Sequence, residues 1–388
     1  MEIIPVVSKQ DEQLFLSVPL IIYKNDPHWI RPLNKDIEDV FNPKRNKAFR
    51  FGKTQRWILK KDNCLIGRIA AFVNSKYKNK EDDIPVGGIG FFECINNQDA
   101  ADLLFDNARH WLLKEGMEAM DGPINFGERD RWWGLLTEGF YEPLYAMNYH
   151  LPYYKQLFEN YGFKPFYHQI CLSMAPKEPL NPKIWERHAE LSKNPALHSQ
   201  RMRKNNLNKY ARDFSTVYNA AWAGHGGLKQ LTEAQAISMF NKMKPVLDDR
   251  ILWLVYEQDK PVAVFLNLPD INQWFKYLNG KFGLLQKIKF LWLKRFKENK
   301  RFVGLVFGVV PEWQGKGMDN YIIGEACSII QSDASPYTEY EMQWIGDFNP
   351  KMLNVGYGLG NVKKSRELTT YRYLFNRTKP FKRHPILA

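Results

Sequence analysis

The sequence predicts an α+β fold in which mixed central sheets are flanked by helices, arranged as two consecutive domains. Residues 302–330 carry the first observation: an apolar run, a proline, two glycines around a lysine, then Tyr321, Ile322, Ala326, Ile329 and Ile330 at helical spacing. That is strand, tight loop, helix. The second is length, since 388 residues fit about two domains at ~100 to 200 residues each. The third is order: both halves run strands, helix, strand, helix, strand, on either side of a join holding Pro176, Pro179 and Pro182. The expected domains are 1–178 and 179–388, each with its own sheet.

A content of 44% hydrophobic and 14% aromatic residues supplies packed cores. Lys and Arg outnumber Asp and Glu by 55 to 42, for a net charge of +13. Such a charge favours anionic partners and leaves open phosphate-bearing cofactors, nucleic acid and an anionic membrane surface. Cys64, Cys94, Cys171 and Cys327 lie far apart without metal-ligand spacing, so buried thiols and no metal are expected. Residues 1–13 lack a basic and apolar leader, and no run of 18 apolar residues occurs. The expected location is the cytoplasm.

In the first half, residues 11–33 combine an apolar-periodic segment with Pro19, Pro27 and Pro32, which predicts one helix of moderate length and an irregular entry. Residues 57–60 and 65–74 flank Asp62 and Asn63 as an antiparallel pair, and 86–94 is a third strand. Asp99 opens a helix with Leu103, Leu104, Ala108 and Leu112 on its stripe, stopped by Gly116. Residues 120–126 then return as a strand, 153–161 form a short helix stopped by Gly162, and 163–174 return again. The aromatic, charged loop 129–145 is expected to face the second half, with Trp132 and Trp133 as packing residues.

The second half opens with a helix over 184–193 and a basic run over 197–210, expected as a solvated helix face. Residues 222–227 read as a turn, Thr232 starts a helix, and 251–257 and 261–268 are strands. Residues 283–300 form a helix with Leu284, Leu285, Ile288, Leu291, Trp292 and Phe296 apolar and Lys287, Lys289, Lys294, Arg295 and Lys297 basic. The favoured expectation is packing on its own sheet with the cations reaching outward; lying on an anionic membrane is the alternative. After the glycine loop come a strand over 337–345, a helix within 349–360 and a strand over 366–375.

The glycine loop suits an anion. Gly315 and Gly317 bare the backbone, and the orphan N–H groups of the following helix point at the same place, beside Lys316. Neither the dinucleotide nor the Walker spacing is present. The residues resemble the acyl-CoA pyrophosphate loop of the GNAT superfamily of N-acetyltransferases: Gln or Arg, two residues, Gly, one residue, then Gly or Ala. Gln314 and Gly317 match, and Asp319 takes the last place. The words GRIAAF, GGIGFFE, MDGPINF, YNAAW, NLPDIN and YLNG, with the paired halves, resemble an uncharacterised bacterial family of tandem GNAT-like proteins.

The resemblance implies acetyl-CoA or another acyl-CoA as donor, held by Val309, Val310, Gln314, Gly315, Lys316, Gly317, Met318 and Asn349 in the second half. The first half, reading INNQD where the loop belongs, is expected to hold none. The resemblance also implies a small-molecule or peptide amine as acceptor, and an oxyanion donor in the backbone around Val309 and Val310. The family's acid tyrosine falls on Gly356, with Tyr357 beside it, and residue alternation nominates Glu341 as base. Two other readings stay open: a non-catalytic tandem fold that binds a ligand or partner, and a Fem-like aminoacyl-tRNA-dependent transferase.

Overall fold

The computed structural model describes residues 1–222 and 230–387. The first half runs β1 (Glu2–Pro5), α1 (Lys9–Ile22), α2 (Asn34–Val40), β2 (Gly52–Lys61), β3 (Cys64–Asn74), β4 (Val86–Cys94), α3 (Gln98–Lys114), β5 (Ala119–Gly122), β6 (Leu135–Glu138), α4 (Tyr154–Tyr161) and β7 (Lys164–Met174). Local chemistry sets these ends. Ser8 and Asp11 cap the start of α1 reciprocally. Asp62 and Asn63 take φ of 50° and 63°, which turns β2 tightly into β3. Gly162 ends α4 at φ 106°.

The second half runs α5 (Pro182–Leu191), β8 (Leu197–Arg201), α6 (Leu207–Trp222), α7 (Glu233–Met243), β9 (Leu252–Glu257), β10 (Lys260–Pro269), α8 (Asn272–Phe275), α9 (Leu284–Phe296), β11 (Arg301–Val309), α10 (Met318–Ile330), β12 (Glu339–Met342), β13 (Ile345–Gly346), α11 (Pro350–Tyr357) and β14 (Lys363–Leu374). Two expectations change. The basic run over 197–210 is not one helix: its first part is β8, an edge strand paired with β9. The strand over 337–345 breaks into β12 and β13. The turn expected at 222–227 lies, past Trp222, outside the described residues.

All of this forms one sheet, in the order β1, β2, β3, β4, β5, β14, β7, β12, β11, β10, β9, β8. Two separate sheets were expected, and the difference has a simple cause: the last strand of each half is exchanged. β14 lies beside β5, with Tyr371 opposite Gly122, while β7 lies beside β12, with Met174 opposite Tyr340. The exchanged strands pair with each other from Lys363/Ser173 to Arg372/Lys164. Each half thus closes the open edge of the other.

The halves match in one further respect. β4 and β5 are parallel, as are β11 and β12, whereas the other ladders are antiparallel. In both halves a helix connects the parallel strands and covers one face. α3 buries Ala100, Leu104, Phe105 and Ala108 there, and the Phe105 ring stacks on Phe92 of β4 at 4.5 Å. Burial of each large side chain contributes about 1.5 to 3 kcal/mol, which holds α3 in place.

Candidate functional site

The parallel ladder between β11 and β12 ends early. It pairs Arg301 with Glu339 through Gly304 with Met342, and a last bond runs from the Gln343 N–H to the Gly304 carbonyl at 3.3 Å. Beyond it the chain swings to β7, where Ile345 pairs with Ile170. Residues 305–309 of β11 are therefore open on one side, while 306–309 stay paired with β10 on the other. The Val310 N–H donates to the Val262 carbonyl at 2.9 Å, so Val310 is spent in the β10 ladder. Backbone groups alternate along a strand, and the Val309 carbonyl accepts the Gln314 side-chain amide at 2.9 Å. Of the two amides expected to face an oxyanion, only that of Val309 turns to the open side.

The loop that follows is an amide cradle. Gly315 and Gly317 take φ of 72° and 84°, a region open to glycine, and α10 begins at Met318 without a side-chain cap. The first helical bond goes from the Tyr321 N–H to the Gly317 carbonyl at 3.0 Å. The N–H groups of Gly315, Gly317, Met318, Asp319 and Asn320 have no hydrogen-bond partner among the described residues. A Cβ on Gly315 would meet nothing within 4 Å, so the cradle opens outward. Lys316 flanks it, as does Arg187 of α5, whose stem passes 3.5 Å from where a Gly317 Cβ would stand. This donor set fits a pyrophosphate, except that Asp319 adds a carboxylate to the first turn. Met318 contributes only its amide, because its side chain is fully buried.

The remaining expected residues lie on α11 and β12. Asn349 caps α11, its Oδ1 accepting the Met352 N–H at 3.2 Å. Tyr357 is exposed at the opposite end of the same helix, about 12 Å away at 1.5 Å per residue. Gly356 is buried, and a Cβ there would come within 2.5 Å of Leu172 Cδ1, so a side chain at the position that the family gives to tyrosine would have to displace Leu172.

Glu341, nominated as base, is buried in an ion pair. It is 3% exposed and both its oxygens are engaged by Arg366 of β14, Nε to Oε1 at 2.5 Å and Nη2 to Oε2 at 3.1 Å, with Ser365 Oγ at 3.0 Å. Arg366 also donates to the carbonyls of Tyr141 and Glu142 and lies 3.8 Å over the Tyr141 ring. Loop 129–145 thus faces the second half as expected, and Asn272 and Phe275 of α8 touch Pro143 and Tyr145. Trp132 and Trp133 are buried, as packing residues are. Asp270 lies nearby, its carboxyl pushed up to about 6 by burial although Arg301 stands 3.6 Å away.

A second carboxylate escaped the sequence reading. Glu93 of β4 is buried at one wall of a cavity of about 50 Å³, and accepts Tyr23 Oη at 2.6 Å and Tyr154 Oη at 2.8 Å, with Arg68 at 3.5 Å. Burial raises its pKa above the usual carboxylate range. His150 shares the cavity; its Nδ1 accepts the Leu136 N–H at 3.1 Å, which leaves the proton on Nε2, and burial depresses its pKa to about 3. The available signal was one charge in an otherwise apolar strand, GGIGFFEC.

Among the described residues, no group of three His, Cys, Asp or Glu side chains is placed to hold a metal, and no helix is long and apolar enough to cross a membrane. No family model matches the chain. Two curated proteins align along most of it: Protein YghO of Escherichia coli, 25% identical over 366 residues that cover 90% of this chain and 89% of that one, and Bacterial ceramide synthase of Caulobacter vibrioides, 23% identical over 367 residues that cover 93% and 94%. A tandem GNAT protein from the clavulanic acid biosynthesis pathway superposes with a TM-score of 0.52 at 10% identity, over 97% of this chain and 99% of its own. A GCN5-related glucosamine N-acetyltransferase region of a fungal β-N-acetylglucosaminidase gives 0.53 at 12% identity, over 96% of this chain and 38% of the fungal one. The chain resembles tandem GNAT-like proteins and carries the acyltransferase fold twice.

Proposed function

We propose that this chain is a CoA-dependent N-acyltransferase with its donor site in the second half, and that its acceptor is the amine of a long-chain amino alcohol. The observation that carries the reading is the cradle of five unpartnered amides at 315–320, flanked by Lys316 and Arg187 and set at the point where β11 and β12 part. The full-length similarity to a ceramide synthase supports the acceptor, since a ceramide is the N-acyl derivative of such an amino alcohol.

The bound thioester supplies an activated acyl carbon. Amides of residues 315–320 hold the pyrophosphate, and the Val309 N–H on the open side of β11 faces the position of the developing oxyanion. The C–N bond forms, the C–S bond breaks, and the proton lost by the amine nitrogen offsets the charge of the departing thiolate. With Glu341 committed to Arg366, water at the exposed mouth of the loop carries that proton from the nitrogen to the departing sulfur, which leaves as the free thiol.

A second reading runs the same transfer from the first half, favoured by Glu93, a buried carboxylate on the strand equivalent to β11 that faces a cavity. One assay separates the two. The purified chain is given long-chain acyl-CoA and a long-chain 2-amino-1,3-diol, while free thiol and amide mass are followed. The second-half reading expects one amide per thiol, a loss in Lys316→Ala and little change in Glu93→Gln. Loss only in Glu93→Gln moves the chemistry to the first half, and no thiol release with any acyl-CoA or amine supports a binding protein.

A further inference from the structure

Helix α9 departs furthest from expectation. It does not pack on the sheet: only Phe290 and Leu293 are buried, against Leu33, Trp274, Phe275 and Leu278. The other apolar residues, Leu284, Leu285, Ile288, Leu291, Trp292 and Phe296, are 57% to 76% exposed. At ~100° per residue these six fall within an arc of about 140°, on the side opposite Phe290 and Leu293. The helix therefore has two apolar faces, of which one is an anchor and the other is uncovered.

Charge identifies what covers it. The helix reads LLQKIKFLWLKRF, without a single acid. Lys287 and Lys294 line one flank of the uncovered face and Lys289 the other. Beside its C-terminal end opens a groove of about 840 Å³ to which Arg203, Lys204, Lys294, Arg295 and Lys297 contribute. Asp248, Asp249 and Glu298 line it too, but Asp248 is paired with Arg250 and Asp249 with Arg201, so none of those five cations has an acidic partner within 4.0 Å among the described residues. Burial and then the adjacent Lys204 ammonium hold the Lys294 ammonium below its usual range, with Asp248 opposing them more weakly. A second copy meeting the first through this face would set one cationic rim against another. A bilayer with anionic headgroups offers hydrocarbon to the apolar arc and phosphate to the rim and groove.

We propose that α9 lies in the plane of an anionic membrane surface, with Leu284, Leu285, Leu291 and Trp292 in the acyl boundary and headgroup phosphates at the groove between Lys204 and Lys294. This docking does not depend on the reaction proposed above. It places the chain where an acceptor with a long alkyl chain resides, and is read without any turnover.

The full chain is floated with vesicles of phosphatidylcholine alone and of phosphatidylcholine mixed with phosphatidylglycerol. Binding is expected to the mixed vesicles only. Leu285→Ser combined with Leu291→Ser should lower the partition coefficient tenfold or more, and each of Lys287→Gln, Lys294→Gln and Arg295→Gln about fivefold. Brominated lipid should quench fluorescence that Trp292→Phe removes. All these positions are exposed or half-buried, so unchanged melting temperatures confirm that the variants are folded. Equal binding to neutral vesicles, or no binding to either, overturns the proposal. So does a sedimentation result in which Leu285→Ser and Leu291→Ser turn a dimer into a monomer, which would make the face an interface between copies.

Discussion

Glu341→Gln removes the carboxylate that Arg366 grips with two bonds, of 2.5 and 3.1 Å, at a site where the two side chains are 4% and 0% exposed. Glutamine keeps the shape and one acceptor oxygen. The guanidinium stays buried, held by the carbonyls of Tyr141 and Glu142 but without its counter-charge. Breaking such a buried pair from one side costs about 3 to 5 kcal/mol. Replacing both partners, Glu341→Leu with Arg366→Met, removes the uncompensated charge as well and should cost clearly less than the sum of the single changes. Urea unfolding followed by circular dichroism reads the stabilities, and thiol release per folded molecule reads the chemistry. A large stability loss is expected, with transfer by the folded fraction nearly intact. If Glu341 were the base, transfer would fall by about 10² to 10⁴ with a smaller stability change, and that result would refute the structural assignment.

Stability against pH carries two opposed slopes. His150 is buried neutral with its pKa depressed to about 3, so unfolding takes up a proton and about 1.4 kcal/mol is lost per pH unit below about 6.5. Asp270 has its pKa raised to about 6, so its contribution is fully present below about pH 4 and is lost as pH rises to about 6. Urea midpoints should show Asp270→Asn losing stability more steeply in acid than the parent, and His150→Asn losing its acid sensitivity; unchanged slopes would mean that both groups are solvated. Because β14 completes the first half and β7 the second, fragments 1–178 and 179–388 should each fail to unfold cooperatively alone and should recover when co-expressed. Two separately soluble and cooperative fragments would contradict the exchange.

Elements written into local sequence were legible. The Asp62–Asn63 turn, the stripe of α3, the Gly162 stop and the strand–glycine–helix stretch each depend on neighbours within a few residues, and each lies where periodicity or turn chemistry puts it. Pairing across long separations was not. Alternation marks β7 and β14 as buried strands but says nothing of which strand lies beside them, so the exchange was hidden. Glu341 shows the same limit: its face could be read, but not an arginine on β14 reaching across β7 to both of its oxygens. β8 was lost because a basic edge strand and a solvated helix face share a composition. On α9 the period identified the apolar residues, yet only the packing of Phe290 and Leu293 showed which of two apolar faces is buried. Glu93 and His150 come together from β4 and a loop nearly sixty residues later, a distance at which sequence carries no spacing rule.

An acyl-CoA cradle at the 315–320 amides, compromised by the Asp319 carboxylate, should be visible in calorimetric titration of CoA into the parent, Lys316→Ala and Asp319→Gly. Lys316→Ala should weaken binding by roughly tenfold, as loss of one charge-assisted contact of ~1.5 to 3 kcal/mol reduced by solvent. Asp319→Gly should tighten it, since a carboxylate about 6 Å from a phosphate at an effective dielectric of ~20 to 40 repels by roughly 1 to 3 kcal/mol, or about 5- to 100-fold in affinity. The empty Asp319→Gly protein should melt slightly lower, having lost ~0.3 to 1 kcal/mol of helix-dipole stabilisation. Three equal affinities would place the pyrophosphate elsewhere.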